Sequence, residues 1–266
     1  MIREAVFAYT DAMKHTAAIF DVDGVLVNSP HERAWRESLQ QLMEGAWRPF
    51  ADQTMYSPDA FSSAVYQEFL AGKPRAAGAK AALEHFGVPD PNGVRVQAYM
   101  DKKQTQITAL IEQSAFTAFD DAIRLLLTFK EKGLKIAAAS SSKNANMFLV
   151  RVNVGEFCQK HGLNYPFVSE GTTLVDLFDA DVCGRDFAQG KPHPEIFLTA
   201  ASELHIAPEQ CVVIEDAQSG VQAAKAGGMA CIGIARVNDE ALLLAADADW
   251  VVTDLDDVPL HEVIGA

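Results

Sequence analysis

The chain of 266 residues contains 22 lysine and arginine residues and 36 aspartate and glutamate residues, which gives a formal charge of −14 at pH 7. This acidic balance disfavours nucleic acid or an anionic membrane surface as the main partner, although it does not exclude an anionic small substrate. The length allows one large domain or two modest ones, and no run approaches the ~18 apolar residues that span a bilayer.

The first predicted elements are a short amphipathic helix over residues 2–13 and a buried strand over residues 16–20, which breaks abruptly at Asp21 and Asp23. Open α/β sheets bind ligands just past the carboxyl ends of their strands. Two carboxylates at such a place repel each other and lose hydration, so a cationic partner must compensate. The plainer interpretation is an aspartate-rich turn that leaves a strand.

Helical patterns without a convincing strand follow over residues 31–114, and they predict an all-helical insertion. The patterns are "HERAWRESLQQLM", "AFSSAVYQEFL", "AAGAKAALEHF" and "VRVQAYMDKKQTQITALIEQ".

After this insertion, short apolar strands alternate with helices, which favours βαβ units and a parallel sheet. The predicted fold class is therefore α/β: a doubly wound parallel-sheet core over residues 1–30 and 115–266, interrupted by a helical cap domain over residues 31–114. The predicted helices are "FDDAIRLLLTFKEKG", "KNANMFLVRVNV", "PEIFLTAASELHI" and "SGVQAAKAGG". The stretches that read as strands are "LKIAAAS", "PFVSE", "CVVIED", "ACIGIA" and "WVVTD".

Polar side chains lie at four strand or loop ends of this core, and parallel strands would gather them at one edge of the sheet. Four carboxylates, a hydroxyl and a lysine suit a hard cation such as Mg²⁺ together with a phosphoryl group. A carboxylate can attack phosphorus, and the transfer then needs charge neutralisation on the phosphoryl oxygens. The residues are Asp21, Asp23, Ser140, Lys191, Glu215 and Asp216.

Plainer interpretations exist for several of these side chains. Lys191 could be an exposed loop lysine, and Ser140 a small residue at a crowded turn. Glu215 and Asp216 could be an N-cap pair for the helix that follows.

Four stretches, "DVDGV", "ASSSKN", "GKPHPEIF" and "VVIEDAQSGVQAAKAGG", resemble the four motifs of the haloacid dehalogenase superfamily. Their order, with the cap after the first motif, resembles the β-phosphoglucomutase-like phosphatase subgroup. This resemblance covers nearly the whole core. It implies Mg²⁺-dependent phosphoryl transfer on a small phosphorylated metabolite.

Residue by residue, the resemblance implies that Asp21 is the nucleophile and that Asp23 is the general acid and base. It implies that Ser140 and Lys191 hold the phosphoryl oxygens. Dehalogenases and phosphonate-cleaving members lack an aspartate at position 23, so a phosphate ester is the expected substrate. The implied magnesium ligands are Asp21, the carbonyl of Asp23, Glu215 and Asp216.

The cap stretch "AGKPRAAGAKAAL" resembles the specificity loop of sugar-phosphate mutases, in which an arginine grips the distal phosphate of the substrate. Arg75 suits a bidentate phosphate contact, with Lys73 as a second candidate, although a solvated arginine is the plainer interpretation. His31 follows the hinge and could either approach Asp23 or pack the hinge.

The three residues that directly follow Ser141 are further candidates for substrate contact. Ser142 belongs to a serine run of which one member is expected to contact phosphate. Lys143 and Asn144 begin a helix, and helix N-termini favour anions.

The hinge "VNSPHERAW" is shorter than the usual run of the subgroup and carries Pro30, which fixes φ and limits hinge freedom. We therefore expect a phosphatase that acts on a sugar phosphate, with β-phosphoglucomutase as the alternative. A non-catalytic phosphosugar-binding protein is a third, less favoured interpretation.

The four cysteines show no CxxC pair or zinc spacing, and free buried thiols are typical of a reducing compartment. The N-terminal residues do not show a signal-peptide pattern. We expect a cytoplasmic monomer without nucleic-acid or membrane partners.

Overall fold

The structure, a computed structural model, describes residues 14–265. The helix predicted over residues 2–13 lies outside the described residues.

Short apolar stretches form the sheet at the centre of the molecule. The strands within residues 14–265 are β1 (Ala17–Phe20), β2 (Val27–Asn28), β3 (Thr117–Ala118), β4 (Lys135–Ala138), β5 (Ala180–Asp181), β6 (Cys211–Glu215), β7 (Ala230–Ile234) and β8 (Trp250–Val252). Six of them pair in parallel in the order β5-β4-β1-β6-β7-β8. The predicted α/β class with a parallel sheet is confirmed.

Helices cover the sheet and form the insertion between β2 and β3. Within the described residues they are α1 (His31–Glu44), α2 (Arg48–Ala51), α3 (Ser63–Phe69), α4 (Arg75–His85), α5 (Val94–Glu112), α6 (Asp120–Glu131), α7 (Ala145–Leu149), α8 (Val154–His161), α9 (Glu195–Leu204), α10 (Gln218–Ala226), α11 (Glu240–Ala245) and α12 (Leu260–Ile264). Within the same residues, three short 3₁₀ helices lie at Leu174–Leu177, Pro208–Gln210 and Leu255–Asp257. No helix in this part of the chain is long and apolar enough to cross a membrane.

The residues of β1 are fully buried on both faces of the sheet. Ala18 and Phe20 pack with α6, α7 and α8, whereas Ala17 and Ile19 pack on the opposite side with α9 and α10. Successive side chains of a strand point to opposite faces, so a strand between two helical layers is apolar throughout. The run "AAIF" is apolar for this reason.

Helices α1 to α5 have a hydrophobic cluster of their own, which includes Trp35, Leu83 and Tyr99. The last turns of α5 instead place Ile107 and Ile111 in the cluster of the sheet. The insertion therefore has its own core and is also packed onto the sheet layer through α5.

The antiparallel pair of β2 and β3 was not predicted. Val27 pairs with Ala118, and Asn28 pairs with Thr117. The chain therefore leaves for the helical insertion and returns from it through two adjacent, hydrogen-bonded segments.

Two sequence expectations are corrected by the structure. The helix predicted over "KNANMFLVRVNV" is shorter, since α7 ends at Leu149 and only the last residue of the pattern, Val154, belongs to α8, whose N-cap Asn153 accepts from the Glu156 amide. The stretch "PFVSE" forms turns, and the edge strand is Ala180–Asp181 instead. Pro166 cannot donate a ladder hydrogen bond, whereas Asp179 both donates to and accepts from the backbone of Ile136.

Candidate active site

The carboxyl ends of β4, β1 and β6 meet at one edge of the sheet because these strands are adjacent and parallel. Asp21 directly follows β1, Ser140 follows β4, and Glu215 is the last residue of β6. Lys191 comes from the loop before α9 and reaches the same edge. The six core residues singled out in the sequence are therefore brought together.

The ammonium of Lys191 lies between two carboxylates. Its Nζ is 2.6 Å from Asp21 Oδ1 and also donates to Glu215. Burial raises the pKa of Asp21 to about 7, and the charges of Glu215 and Asp23 act in the same direction against Lys191. Burial lowers the pKa of Lys191, but the two carboxylates outweigh it and raise the pKa overall, which favours the charged form of Lys191.

Two glycines make room for the acidic pair at the end of β6. A Cβ on Gly24, where φ is +85°, would stand 1.9 Å from Asp216 Oδ2. A Cβ on Gly220 would stand 1.8 Å from Glu215 Oε1. Both carboxylates are therefore held against bare backbone, and neither position tolerates a side chain.

The charge balance of this cluster fits a divalent cation. Burial and then the charges of Glu215 and Asp21 raise the pKa of Asp216 well above its usual value, while Lys191 is the nearby cation that opposes them. Carboxylate oxygens are the donors that Mg²⁺ prefers. Among residues 14–265, no three acidic, histidine or cysteine side chains are already spaced as a metal-binding group.

The surroundings of Asp23 lower its pKa, whereas those of Asp21 raise the pKa of that residue. Its Oδ1 lies 3.2 Å from His31 Nε2, and its Oδ2 accepts from Ser140 Oγ at 3.2 Å. Burial raises the pKa of Asp23, but His31, a hydrogen bond from Ser29 and the charge of Lys103 together lower it to about 2. Asp23 is therefore ionised, in the form that accepts a proton.

Lys103 is a site residue that the sequence reasoning did not single out. Its Nζ is 3.1 Å from His31 Nδ1, and its side chain lies over the ring of Trp35. Burial and the charge of Arg75 lower the pKa of Lys103 to about 7. A signal was present: Tyr99, Lys103 and Ile107 share the buried helical stripe of α5. A lysine on such a stripe points to a functional contact.

The structure places Ser142, Lys143 and Asn144 beside the same edge, but each has a protein partner. Ser142 Oγ is 3.0 Å from His31 Nε2, and Lys143 pairs with the exposed Asp186 at 2.6 Å. Asn144 is buried and accepts from Gln104 of α5 at 3.0 Å. Ser142 and Lys143 line the cavity of the site, whereas Asn144 does not.

A cavity of about 460 Å³ separates the helical insertion from the strand ends. Arg75 lines it, and its guanidinium has no hydrogen-bond or ion-pair partner within residues 14–265. Lys73 also lines it, but its Nζ donates to the carbonyls of Glu68 and Phe69. Arg75 is therefore the cap cation that is available to a ligand.

Two further cavity residues were missed in the sequence. Tyr66 lines the cavity from α3, and burial followed by the charges of Asp23 and Asp216 raises the pKa of its phenol well above the usual value. Arg236, after β7, lines the cavity from the core side. The sequence spacing of Tyr66 and Arg236 does not indicate a site residue, because both reach the cavity only through the packing of the helices on the sheet.

A model of the haloacid dehalogenase-like hydrolases matches residues 15–228, and the chain therefore belongs to this family. The expected superfamily is confirmed, and so is the expectation of an enzyme. The β-phosphoglucomutase-like subgroup is supported by the relatives that follow.

The chain is 32% identical over 257 residues to the β-phosphoglucomutase of Mycobacterium tuberculosis, covering 91% of this chain and 90% of that protein. It is 28% identical to validoxylamine A 7'-phosphate phosphatase of Streptomyces hygroscopicus subsp. limoneus, over 92% of this chain and 96% of that one. A third relative, SUPPRESSOR OF QUENCHING 1 of Arabidopsis thaliana, is 29% identical over 98% of this chain, which spans 22% of that longer protein.

Among solved structures, the archaeal β-phosphoglucomutase of a Pyrococcus species superposes with a TM-score of 0.65 at 26% identity. The match covers 93% of this chain and 96% of the archaeal one. The α/β fold is thus shared over most of the chain.

Proposed function

We propose that the protein hydrolyses a small phosphate monoester, a sugar phosphate, through an aspartyl phosphate on Asp21, with Mg²⁺ as cofactor. The observation that carries the proposal is the contact of Lys191 with Asp21 Oδ1. This contact leaves Asp21 Oδ2 without a hydrogen bond among the described residues, in a side chain that lines the cavity. Oδ2 is therefore the oxygen that is free to attack phosphorus.

In the first step Asp21 Oδ2 forms a bond to phosphorus while the bond from phosphorus to the ester oxygen breaks. Asp23, which is ionised in the free protein, takes the acidic proton of the phosphate monoester as the substrate binds and passes it to the departing oxygen. In the second step water attacks phosphorus, ionised Asp23 takes the proton of that water, and the bond to Asp21 breaks. Lys191 and the hydroxyl of Ser140 bind the phosphoryl oxygens.

The residues that would hold Mg²⁺ are Asp21, Glu215, Asp216 and the carbonyl of Asp23. When bound, Mg²⁺ supplies positive charge for the phosphoryl oxygens. The excess of buried carboxylates over nearby cations supports this assignment.

A specific observation favours β-phosphoglucomutase activity as a second candidate. Despite the short hinge and Pro30, His31 still reaches Asp23, and Arg75 offers a cap cation without a protein partner. A substrate with a second phosphate would bind Arg75 while its first phosphate lies at Asp21. Such a substrate could reorient and return its phosphoryl group to sugar rather than water.

We propose further that residues 31–114 act as a cap domain on a core of residues 1–30 and 115–266. The separate hydrophobic cluster of α1 to α5 supports this division. We also propose a cytoplasmic monomer, in keeping with the four free cysteines.

The test is ³¹P NMR of the protein with Mg²⁺ and a panel of sugar phosphates, including β-glucose 1-phosphate with a trace of the 1,6-bisphosphate. Free phosphate is the expected product. Glucose 6-phosphate that forms faster than free phosphate would establish the mutase instead. Release of neither product from any member of the panel would contradict both candidates.

A further inference from the structure

We propose that Arg236 is a positioning residue that fixes the turn after Asp23 and thereby holds Asp23 and Asp216 in register. It is not in contact with the reacting atoms. Its effect on rate rests on the proposed function, whereas its effect on the turn does not.

Arg236 is bound on every side of its guanidinium. Nη1 and Nη2 lie 2.7 and 3.1 Å from the two carboxylate oxygens of Asp121. Nε donates to the carbonyl of Gly24 and Nη2 to that of Val25, both at 3.3 Å. The guanidinium also lies 3.8 Å from the ring centre of Phe119. A guanidinium engaged in this way has no free fork for a substrate phosphate.

The partner carboxylate is itself fixed. Asp121 is buried at the start of α6 and also accepts from the amide of Leu255 at 2.9 Å. Hydrogen bonds from Arg236 and Leu255, together with the charge of Arg236, outweigh burial and lower the pKa of Asp121. Arg236 therefore joins the turn to a rigid point at which the chain returns from the cap.

The turn has three backbone hydrogen bonds of its own, from Gly24 to Val27 and from Leu26 and Val27 to Val22, and Arg236 adds contacts to two further carbonyls. Among the described residues, no other hydrogen bond reaches the carbonyls of Gly24 and Val25. Gly24 stands at φ +85° with the carboxylate of Asp216 directly against it, and it follows Asp23 in the chain. Asp23 directly precedes Gly24 in the chain, and the carboxylate of Asp216 packs on Gly24. A shift of the turn would therefore move Asp23 relative to Asp216.

The experiment compares Arg236→Ala with Arg124→Ala in the full chain. Arg124 also makes a two-oxygen ion pair from α6, to Asp256, but at the surface and with no hydrogen bond to residues 22–28. Hydrogen–deuterium exchange of residues 22–28 is measured first, since it needs no substrate. Steady-state phosphate release is then measured with and without added guanidinium ion.

We expect faster exchange of residues 22–28 in Arg236→Ala alone. We expect its kcat to fall about 10- to 100-fold, with KM changed by no more than about twofold. Guanidinium, but not urea, should restore part of kcat by occupying the vacated position.

Unchanged exchange in folded Arg236→Ala would overturn the proposal, and so would a loss of kcat that guanidinium does not reverse. If Arg236→Ala does not fold, Arg236→Lys keeps the charge without the fork and must show the same faster exchange. A wild-type protein that releases no phosphate would count against the proposed function, while the exchange result would still decide the role of Arg236.

Discussion

Lys103 Nζ lies 3.1 Å from His31 Nδ1, so a buried lysine of the cap helix α5 contacts the histidine that faces Asp23. Lys103 is 4% exposed, and no carboxylate among the described side chains is in direct contact with its ammonium. Burial therefore disfavours the charged form of Lys103, whose contact with His31 links helix α5 to Asp23.

Replacing Lys103 by Met should change how stability depends on pH. Because burial lowers the pKa of Lys103 to about 7, the unfolded chain holds the proton more tightly than the folded one. The wild type should therefore gain stability relative to Lys103→Met as pH rises from about 7 to 10, by roughly 3 kcal/mol. Urea unfolding at several pH values measures this, with Lys102→Met as the neighbouring control. Parallel curves for wild type and Lys103→Met would contradict the prediction.

Replacing Asp216 by Asn should separate the destabilising effect of this buried carboxylate from its contribution to Mg²⁺ binding. Without divalent ions the variant should unfold at a higher temperature than the wild type, because one repelling charge is gone. Saturating Mg²⁺ should stabilise the wild type by about 3 kcal/mol at a hundred times its Kd, and the variant far less. Thermal unfolding with Mg²⁺ or a chelator measures both effects. The exposed Asp59→Asn is the control; equal Mg²⁺ stabilisation in all three proteins would exclude Asp216 as a ligand.

Replacing Arg75 by Ala should affect only substrates that carry a second anionic group. The loss of one charge-assisted contact should raise KM for a sugar bisphosphate about 10- to 100-fold. KM for p-nitrophenyl phosphate, which has no such group, should stay unchanged. Lys80→Ala, at an exposed pair with Glu84 on the same helix, is the control. An equal rise of KM for both substrates would show that Arg75 has no role in recognising a distal group.

Replacing Gly190 by Ala should hinder the seating of the cap. A Cβ at this position would stand 2.1 Å from Pro74 Cγ in the cap loop. The cap must then sit farther from the core, so we expect kcat to fall about tenfold or more while the protein remains folded. Gly227→Ala, whose added Cβ comes no closer than 3.3 Å to Pro194, is the control. Wild-type kcat in Gly190→Ala would mean that this contact does not limit the reaction.

The core candidates could be read from the sequence because each follows from local pattern. Asp21 and Glu215 end apolar strands, and parallel pairing alone brings them to one edge. The buried helical stripe of α5 marks Lys103 in the sequence, but the contacts of Lys103 and Arg236 could not be predicted, since they depend on how the helices and loops pack around the sheet. The break between α7 and α8 was missed because a side-chain cap at Asn153 overrides a helical pattern that is continuous in apolar spacing.

The most direct test of the central claim is to find the phosphoryl group on Asp21. The protein is mixed with Mg²⁺ and a sugar phosphate that it turns over, quenched in acid within milliseconds, digested and examined by mass spectrometry. We predict a phosphorylated peptide that contains Asp21, and its absence in Asp21→Asn, which should also lose turnover by about 10³-fold or more. Rapid turnover by Asp21→Asn, or a phosphoryl group on another residue, would contradict the account.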